Sequence, residues 1–328
     1  MNLLSRRLLL GGALSLAVGA ASVALVAQGG GPWIVKGMIP YDRAEIAVAT
    51  MNGKVYVISG QSRGVDANEF NQEYDPATGN WRELALMPAI ASHAGAVALN
   101  GKIYVVGGFL ASVHLAAIDR VFSYDPATDQ WKAVAPLAAG PRGAPGVVVL
   151  DGKIHAIGGR DPQLRVVSTH EVYDPATDKW TVAAALPIAR DHLGIAVLGG
   201  KIHVFGGRTG APTDRVGRHD VYDPASDTWT TAAPLLTPRS AGVSIVLNGR
   251  IVYAGGECKD AASFTTYNEA EVYDPGANKW TALPPLPIGR HAGAAIVVGD
   301  TAYVIGGNNN CGANRPAKEI LAFRLPAS

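Results

Sequence analysis

A glycine pair, replaced once by Ser-Gly, returns along the chain at Ser59-Gly60, Gly107-Gly108, Gly158-Gly159, Gly206-Gly207, Gly255-Gly256 and Gly306-Gly307, and the second glycines are 48, 51, 48, 49 and 51 residues apart. A period near fifty, in units that carry their own strand signals, predicts a radial array of small sheets in which no unit buries its core alone. The 328 residues would also allow two domains by length. Six units in register predict one.

Each unit parses into four strands. The first is short and built of small or β-branched residues, as in Gly95-Ala96-Val97-Ala98-Leu99, which suits the crowded axis of a ring. A two-residue turn follows (Asn52-Gly53, Asn100-Gly101, Asp151-Gly152, Gly199-Gly200, Asn248-Gly249, Gly299-Asp300), made of residues that accept the positive φ a tight hairpin demands. The second strand runs into the glycine pair, where a Cβ would block close backbone approach. The third ends in Tyr-Asp-Pro in five units, for example Tyr173-Asp174-Pro175. Asp bonds the backbone ahead of it and Pro presets φ for a type I turn, so this recurrent segment is a structural turn. Seven residues after each Tyr comes a Trp on the outer strand: Trp81, Trp131, Trp180, Trp229 and Trp280.

Glycine pair, Tyr and Trp in this order resemble the kelch repeat from about Trp33 to Leu325. The resemblance implies an all-β, six-bladed kelch-type β-propeller with one four-stranded sheet per blade. The sixth unit stops one strand short, with Phe323 in the Tyr position, and Pro32-Trp33-Ile34-Val35-Lys36 reads as a fourth strand without its first three. The N-terminal strand is therefore expected to complete the last blade, closing the ring and removing two open edges. Residues 32–326 form the single propeller.

Residues 1–27 read as an export signal of twin-arginine-like type: Arg6-Arg7 precede an apolar run ending near Ala27. This places the mature chain in the periplasm or outside the cell, as a monomer without a membrane span unless the signal is retained. With 28 basic against 27 acidic residues, the chain lacks the basic field of a general nucleic-acid binder. Cys258 and Cys311 follow the glycine pairs of adjacent units, and in an oxidising compartment they are expected to pair as a disulfide.

Seventeen residues before the second glycine stand Arg43, Ala91, Arg142, Arg190, Arg239 and Arg290. Five arginines in six equivalent positions, each just before the inner strand, are expected to ring one mouth of the channel, where guanidinium forks suit carboxylate or phosphate. The same arginines also suit a structural role, bonding loop carbonyls or neighbouring acids. Beside them lie His93 and His192, both fifteen before the glycine, with Asp191, Glu45 and His291 close by. The loops after the glycine pairs add Arg160, Arg208, Glu257 and Asn308 to Asn310, and further along His114 and Tyr267. His155 and His203 take a position held elsewhere by Tyr and read as packing variants, and His170 and His219 as strand-edge residues. No HExxH, Cys-x-x-Cys or clustered His/Asp spacing is present, so neither metal nor other cofactor is expected. No nucleophile elbow or phosphate loop appears either.

Three functions fit. One is a binding module whose mouth takes an anionic or carbohydrate small molecule or an acidic protein loop. A second follows from a weaker resemblance to periplasmic sialic-acid mutarotases, with Arg142, Arg190 or Arg239 on the carboxylate and His192, Asp191, Glu45 or Glu257 moving the anomeric proton. The third is an envelope scaffold.

Overall fold

The computed structural model describes residues 32–62, 67–111, 114–260, 262–312 and 315–325; the expected export segment lies outside them. Six four-stranded antiparallel sheets surround a central channel. The third blade is typical: Gly146–Leu150, Lys153–Ile157, His170–Asp174 and Lys179–Val182 pair in order from the axis outward. The expected hairpin turns are present, with Asn52, Asn100, Asp151 and Asn248 in the left-handed region. Small inner-strand residues such as Ala49, Ala96, Val148, Ala196, Ile245 and Val297 line a channel of about 410 Å³.

The ring closes as the sequence predicts. Ile34–Met38 pairs antiparallel with Glu319–Phe323, Ile34 opposite Ala322 and Met38 opposite Glu319. Trp33 stacks on Phe323 with ring centroids 4.5 Å apart, and its indole N–H donates to the Pro284 carbonyl at 3.0 Å. The sixth Trp and the Phe in the Tyr position are thus the two halves of one blade signature.

The Tyr-Asp-Pro turn also joins blades. Asp174 Oδ1 accepts the Ala176 N–H at 2.9 Å, the turn bond expected of it. Five residues after Tyr173 comes Asp178, whose left-handed backbone (φ 52°) aims its Oδ1 at the Tyr173 hydroxyl, 2.8 Å away. That oxygen also accepts the Ala135 N–H of the preceding blade, while the Trp180 indole donates to the Ala135 carbonyl. Asp129, Asp227 and Asn278 repeat the arrangement in three other blades. The outer strands are pinned to their neighbours by two bonds to one residue.

A second joint lies at the glycine pair. The N–H of Gly207 donates to the Arg239 carbonyl of the next blade at 3.0 Å, and equivalent bonds run right round the ring to Gly307 and Arg43. At Gly206 (φ 61°) a Cβ would come within 2.5 Å of that same carbonyl. Glycine is required because the next blade's backbone occupies the space.

The fifth blade departs from the others. Its second and third strands continue past the glycine pair as Arg250–Asp260 and Thr265–Asp274, a long hairpin rather than a short loop. Cys258 on this hairpin is joined to Cys311 in the sixth-blade loop, 53 residues away, with an S–S distance of 2.07 Å. Among the described residues no helix is long and apolar enough to cross a membrane.

Candidate functional site

The structure corrects the position expected of the arginines. Arg43, Arg142, Arg190, Arg239 and Arg290 are 0–2 % exposed and lie inside the blades rather than around the mouth. Each guanidinium caps the end of its blade's second strand: Arg190 Nη1 donates to Gly206 O and Arg218 O at 3.0 and 3.1 Å, and Arg239 Nε to Gly255 O at 2.9 Å. Each also meets a polar residue of the third strand. Arg43 bonds Gln72, Arg142 Glu171, Arg190 Asp220 and Arg239 Glu271; Arg290 lies 3.6 Å from Glu319. In the second blade both partners are missing together, because Ala91 replaces the arginine and buried Phe122 stands opposite Val105 where Gln72 stands opposite Val57. Buried inside the blades and engaged with their own carbonyls and third-strand residues, these guanidiniums are out of reach of an anion in the channel.

The mouth is formed two residues further on. Glu45, His93, Ala144, His192, Ala241 and Ala292 all lie fifteen before the second glycine, and all have φ between 49° and 57°. The left-handed region is uncommon for residues with a Cβ. Here backbone bonds between neighbouring blades maintain it at five of the six junctions: the N–H of Glu45 donates to Ala292 O, His93 to Glu45 O, Ala144 to His93 O, Ala241 to His192 O and Ala292 to Ala241 O, all between 2.7 and 3.0 Å. The fold needs this backbone in every blade but accepts alanine in three. Glu45, His93 and His192 are therefore side chains that the ring itself does not require, and they meet over a pocket of about 150 Å³ at the channel entrance.

A polar network radiates from them. Glu45 Oε1 is 3.1 Å from His93 Nε2, and His93 Nδ1 is 3.0 Å from Ser92 Oγ. Buried Asp191 accepts from Arg160 Nε at 2.7 Å and Arg208 Nε at 2.8 Å, and lies 3.3 Å from His192 Nδ1. Arg208 Nη1 reaches Glu257 Oε2 at 2.9 Å, and its Nη2 faces His114 Nε2 at 3.2 Å and His192 Nδ1 at 3.0 Å. The sequence-predicted Asp191, His192, His93, Arg160, Arg208 and Glu257 thus do come together. His291 is turned away, its Nε2 facing the carbonyls of Asn310 and Gly312. Tyr267 lies under the Arg215 guanidinium, 5.4 Å from its ring centroid.

Electrostatics follow from this packing. Burial favours the neutral form of His114, and with His192, His93 and Arg208 beside it pushes its pKa down to about 2. Burial and then Arg208 likewise hold His192 below its ordinary value, against the opposing pull of Asp191. Desolvation works to raise Glu45, but His93, His192 and His291 outweigh it and keep the carboxyl below the usual range. Asp191 is depressed in the same way, burial being overcome by His192 and Arg208. The site at neutral pH combines ionised Glu45 and Asp191 with neutral His114 and His192, a set able to accept hydroxyl protons and to donate from ring N–H groups.

Sequence reasoning passed over His114 as a lesser loop residue, although it stands at the centre of the cluster. The tally at the ring position (six blades, three alanines and three ionisable residues) points to Glu45, His93 and His192, but His114, in the loop after Gly108, carries no such signal.

Comparisons with known proteins agree with this architecture. The family described as the Attractin/LZTR1 beta-propeller matches residues 55–314. The chain is 29 % identical to the Kelch-like protein terF of Aspergillus terreus over 312 residues, covering 90 % of this chain and 68 % of that protein. It is 29 % identical to Kelch-like protein 35 of Mus musculus over 130 residues, 39 % of this chain but only 21 % of that one. A solved structure titled "Structure of YjhT" superposes with a TM-score of 0.75 at 17 % identity, over 86 % of this chain and 95 % of that one, a likeness of fold alone. The chain belongs to the Attractin/LZTR1 beta-propeller family of kelch-type propellers, a fold associated in general with binding and interaction.

Proposed function

We propose that this propeller is an exported binding module whose channel mouth captures a neutral, polyhydroxylated small molecule of carbohydrate type. The observation that carries the reading is the ring position, where Glu45, His93 and His192 replace alanine and converge on one pocket. Hydroxyl groups suit such a site because each donates to a carboxylate or imidazole nitrogen and accepts from an imidazole N–H. The pocket is smaller than the ~300 Å³ at which drug-sized sites begin, so it grips one end of its ligand. An anionic ligand or acidic loop loses the support it drew from the arginines, since these are matched internally. Export is supported by the twin-arginine-like start of the sequence and by the Cys258–Cys311 disulfide, which belongs to an oxidising compartment.

The test is thermal melting against a panel of monosaccharides and disaccharides. A sugar at ten times its Kd should add about 1.4 kcal/mol to stability and raise Tm accordingly. Glu45→Ala and His192→Ala should abolish that shift while Arg165→Ala, on an exposed loop, keeps it. A panel in which no sugar moves the wild-type Tm would end this reading.

One geometric fact favours catalysis as a second reading. Two carboxylate–imidazole pairs, Glu45–His93 and Asp191–His192, flank one pocket and could move a proton onto and off a sugar ring oxygen or anomeric hydroxyl. The sugar-acid version has no free arginine among those it assigned to the substrate carboxylate, which leaves neutral aldoses. NMR exchange between anomers should be faster with enzyme and slow again with Glu45→Gln; an unchanged rate across the aldoses excludes it.

A further inference from the structure

We propose that His93, His114 and His192 form a binding site for one divalent late transition metal, with zinc as the fitting ion. The three residues each present a ring nitrogen within 4.8 Å of the others, although they are 21 and 78 positions apart in sequence and come from the second and fourth blades. His114 Nε2 and His192 Nε2 are 3.2 Å apart. Two imidazole nitrogens bound tetrahedrally to zinc at about 2.0–2.1 Å would stand roughly 3.3 Å from each other. The facing pair already has the spacing of a metal site.

The surrounding groups orient the rings for ligation. Asp191 Oδ2 lies against His192 Nδ1 and Ser92 Oγ against His93 Nδ1, which directs the Nε2 edges inward. Carboxylate or hydroxyl contacts to the distal nitrogen are the usual support of metal-bound histidine. Glu45 Oε1, 3.1 Å from His93 Nε2, adds an anionic oxygen beside that ligand. Imidazole ligands favour zinc, copper and nickel over the oxygen-seeking magnesium and calcium.

Arg208 is the group that argues against a cation, because its Nη2 lies 3.2 Å from His114 Nε2 and, at His192, 3.0 Å from Nδ1 and 3.4 Å from Nε2. Its charge is already offset. Asp191 pairs with Arg160 and Arg208, Glu257 with Arg208 and Glu45 with His93, so the network holds three carboxylates against two guanidiniums and leaves one negative charge in excess for an entering cation. Because the guanidinium is one rigid plane, metal binding asks the whole group to swing away from His114 and His192, pivoting on its bonds to Asp191 and Glu257. Alanine at the equivalent position in three blades shows that the propeller does not need His93 and His192 for closure.

The inference goes beyond the carbohydrate reading and stands without it. The full-length, tag-free protein is stripped with chelator and titrated with Zn²⁺ by calorimetry, and with Co²⁺ by visible absorption. The expected result is one site per chain and a tetrahedral Co²⁺ band. His114→Ala, the least buried of the three, and His192→Ala should each weaken binding by about 100-fold or more, whereas His155→Tyr leaves it unchanged. Melting curves confirm that each variant is folded. No stoichiometric binding, or equal binding in the His114→Ala/His192→Ala double variant, overturns the proposal. Metal binding without any sugar response defeats only the carbohydrate reading, and a sugar response in protein that binds no Zn²⁺ or Co²⁺ defeats only this one.

Discussion

Two rings of six equivalent positions lie two residues apart in this propeller and behave oppositely. The ring seventeen before the second glycine is arginine in five blades, buried, and matched to the same blade's carbonyls and, in each case, to a polar third-strand residue. The ring fifteen before it has one backbone conformation in all six blades but alanine in three and Glu45, His93 and His192 in the others. Repetition of a side chain marks a structural joint. Variation of the side chain on a fixed backbone marks a position that the fold leaves free for chemistry.

The comparison breaks most sharply under Arg190→Ala. It leaves buried Asp220 with the partly exposed Arg218 alone and takes a donor from the carbonyls of Gly206 and Arg218, and should cost about 3 kcal/mol and lower Tm by roughly 10 °C. Adding Asp220→Phe copies the second blade's Ala91 and Phe122 and should restore part of the loss. A double variant no more stable than Arg190→Ala would show that the arginine, and not the buried carboxylate left with Arg218 alone, carries the stability. Melting in a scanning calorimeter measures both.

Acid gives an intermediate effect on the blades between these rings. His155 Nδ1 faces His170 Nε2 and His203 Nδ1 faces His219 Nε2, each at 2.9 Å in the blade interior. Burial pushes His155, His170 and His203 down to about 4 and His219 to about 3. The unfolded chain takes up protons as pH falls below about 6.5, and the native state does not until near 4. The stability from these pairs is therefore complete above pH 6.5 and lost progressively toward pH 4. Urea midpoints at pH 7 and 4.5 should differ, and His203→Tyr, the residue type of other blades, should narrow the difference. A variant with the wild-type pH profile would remove this pair from the account.

The smallest effect belongs to the mouth. Glu45→Ala and His93→Ala install the side chain that three blades already carry, so stability should change by less than about 1 kcal/mol. Ligand or metal binding should be lost while Tm barely moves. A large fall in Tm at these positions would place the mouth residues with the arginines as structural.

The fold was legible because its signals are local and repeated. Asn-Gly and Asp-Gly turns, Tyr-Asp-Pro, and the spacing from Tyr to Trp each act within about ten residues, and Phe323 with Trp33 gave away the closure. The site was only partly legible. Asp191, His192, Arg208 and Glu257 were recognisable as neighbours by their positions in the period, but the inward turn of the arginines was not. Whether a guanidinium points to the channel or into the blade depends on a third-strand partner about thirty residues later, such as Glu171 for Arg142. The extended fifth-blade hairpin was equally hidden, because the loop after Gly256 carries no turn signal that sets it apart.

The sequence by itself determined the number of blades, the strand order and the ring's closure, because those follow from hydrophobic pattern and turn chemistry repeated at one period. Only the tertiary structure decided which polar ring faces the channel and that His114 joins His93 and His192. The reason is geometric: closing six blades brings the same position of every repeat to one axis, so residues far apart in the chain meet there.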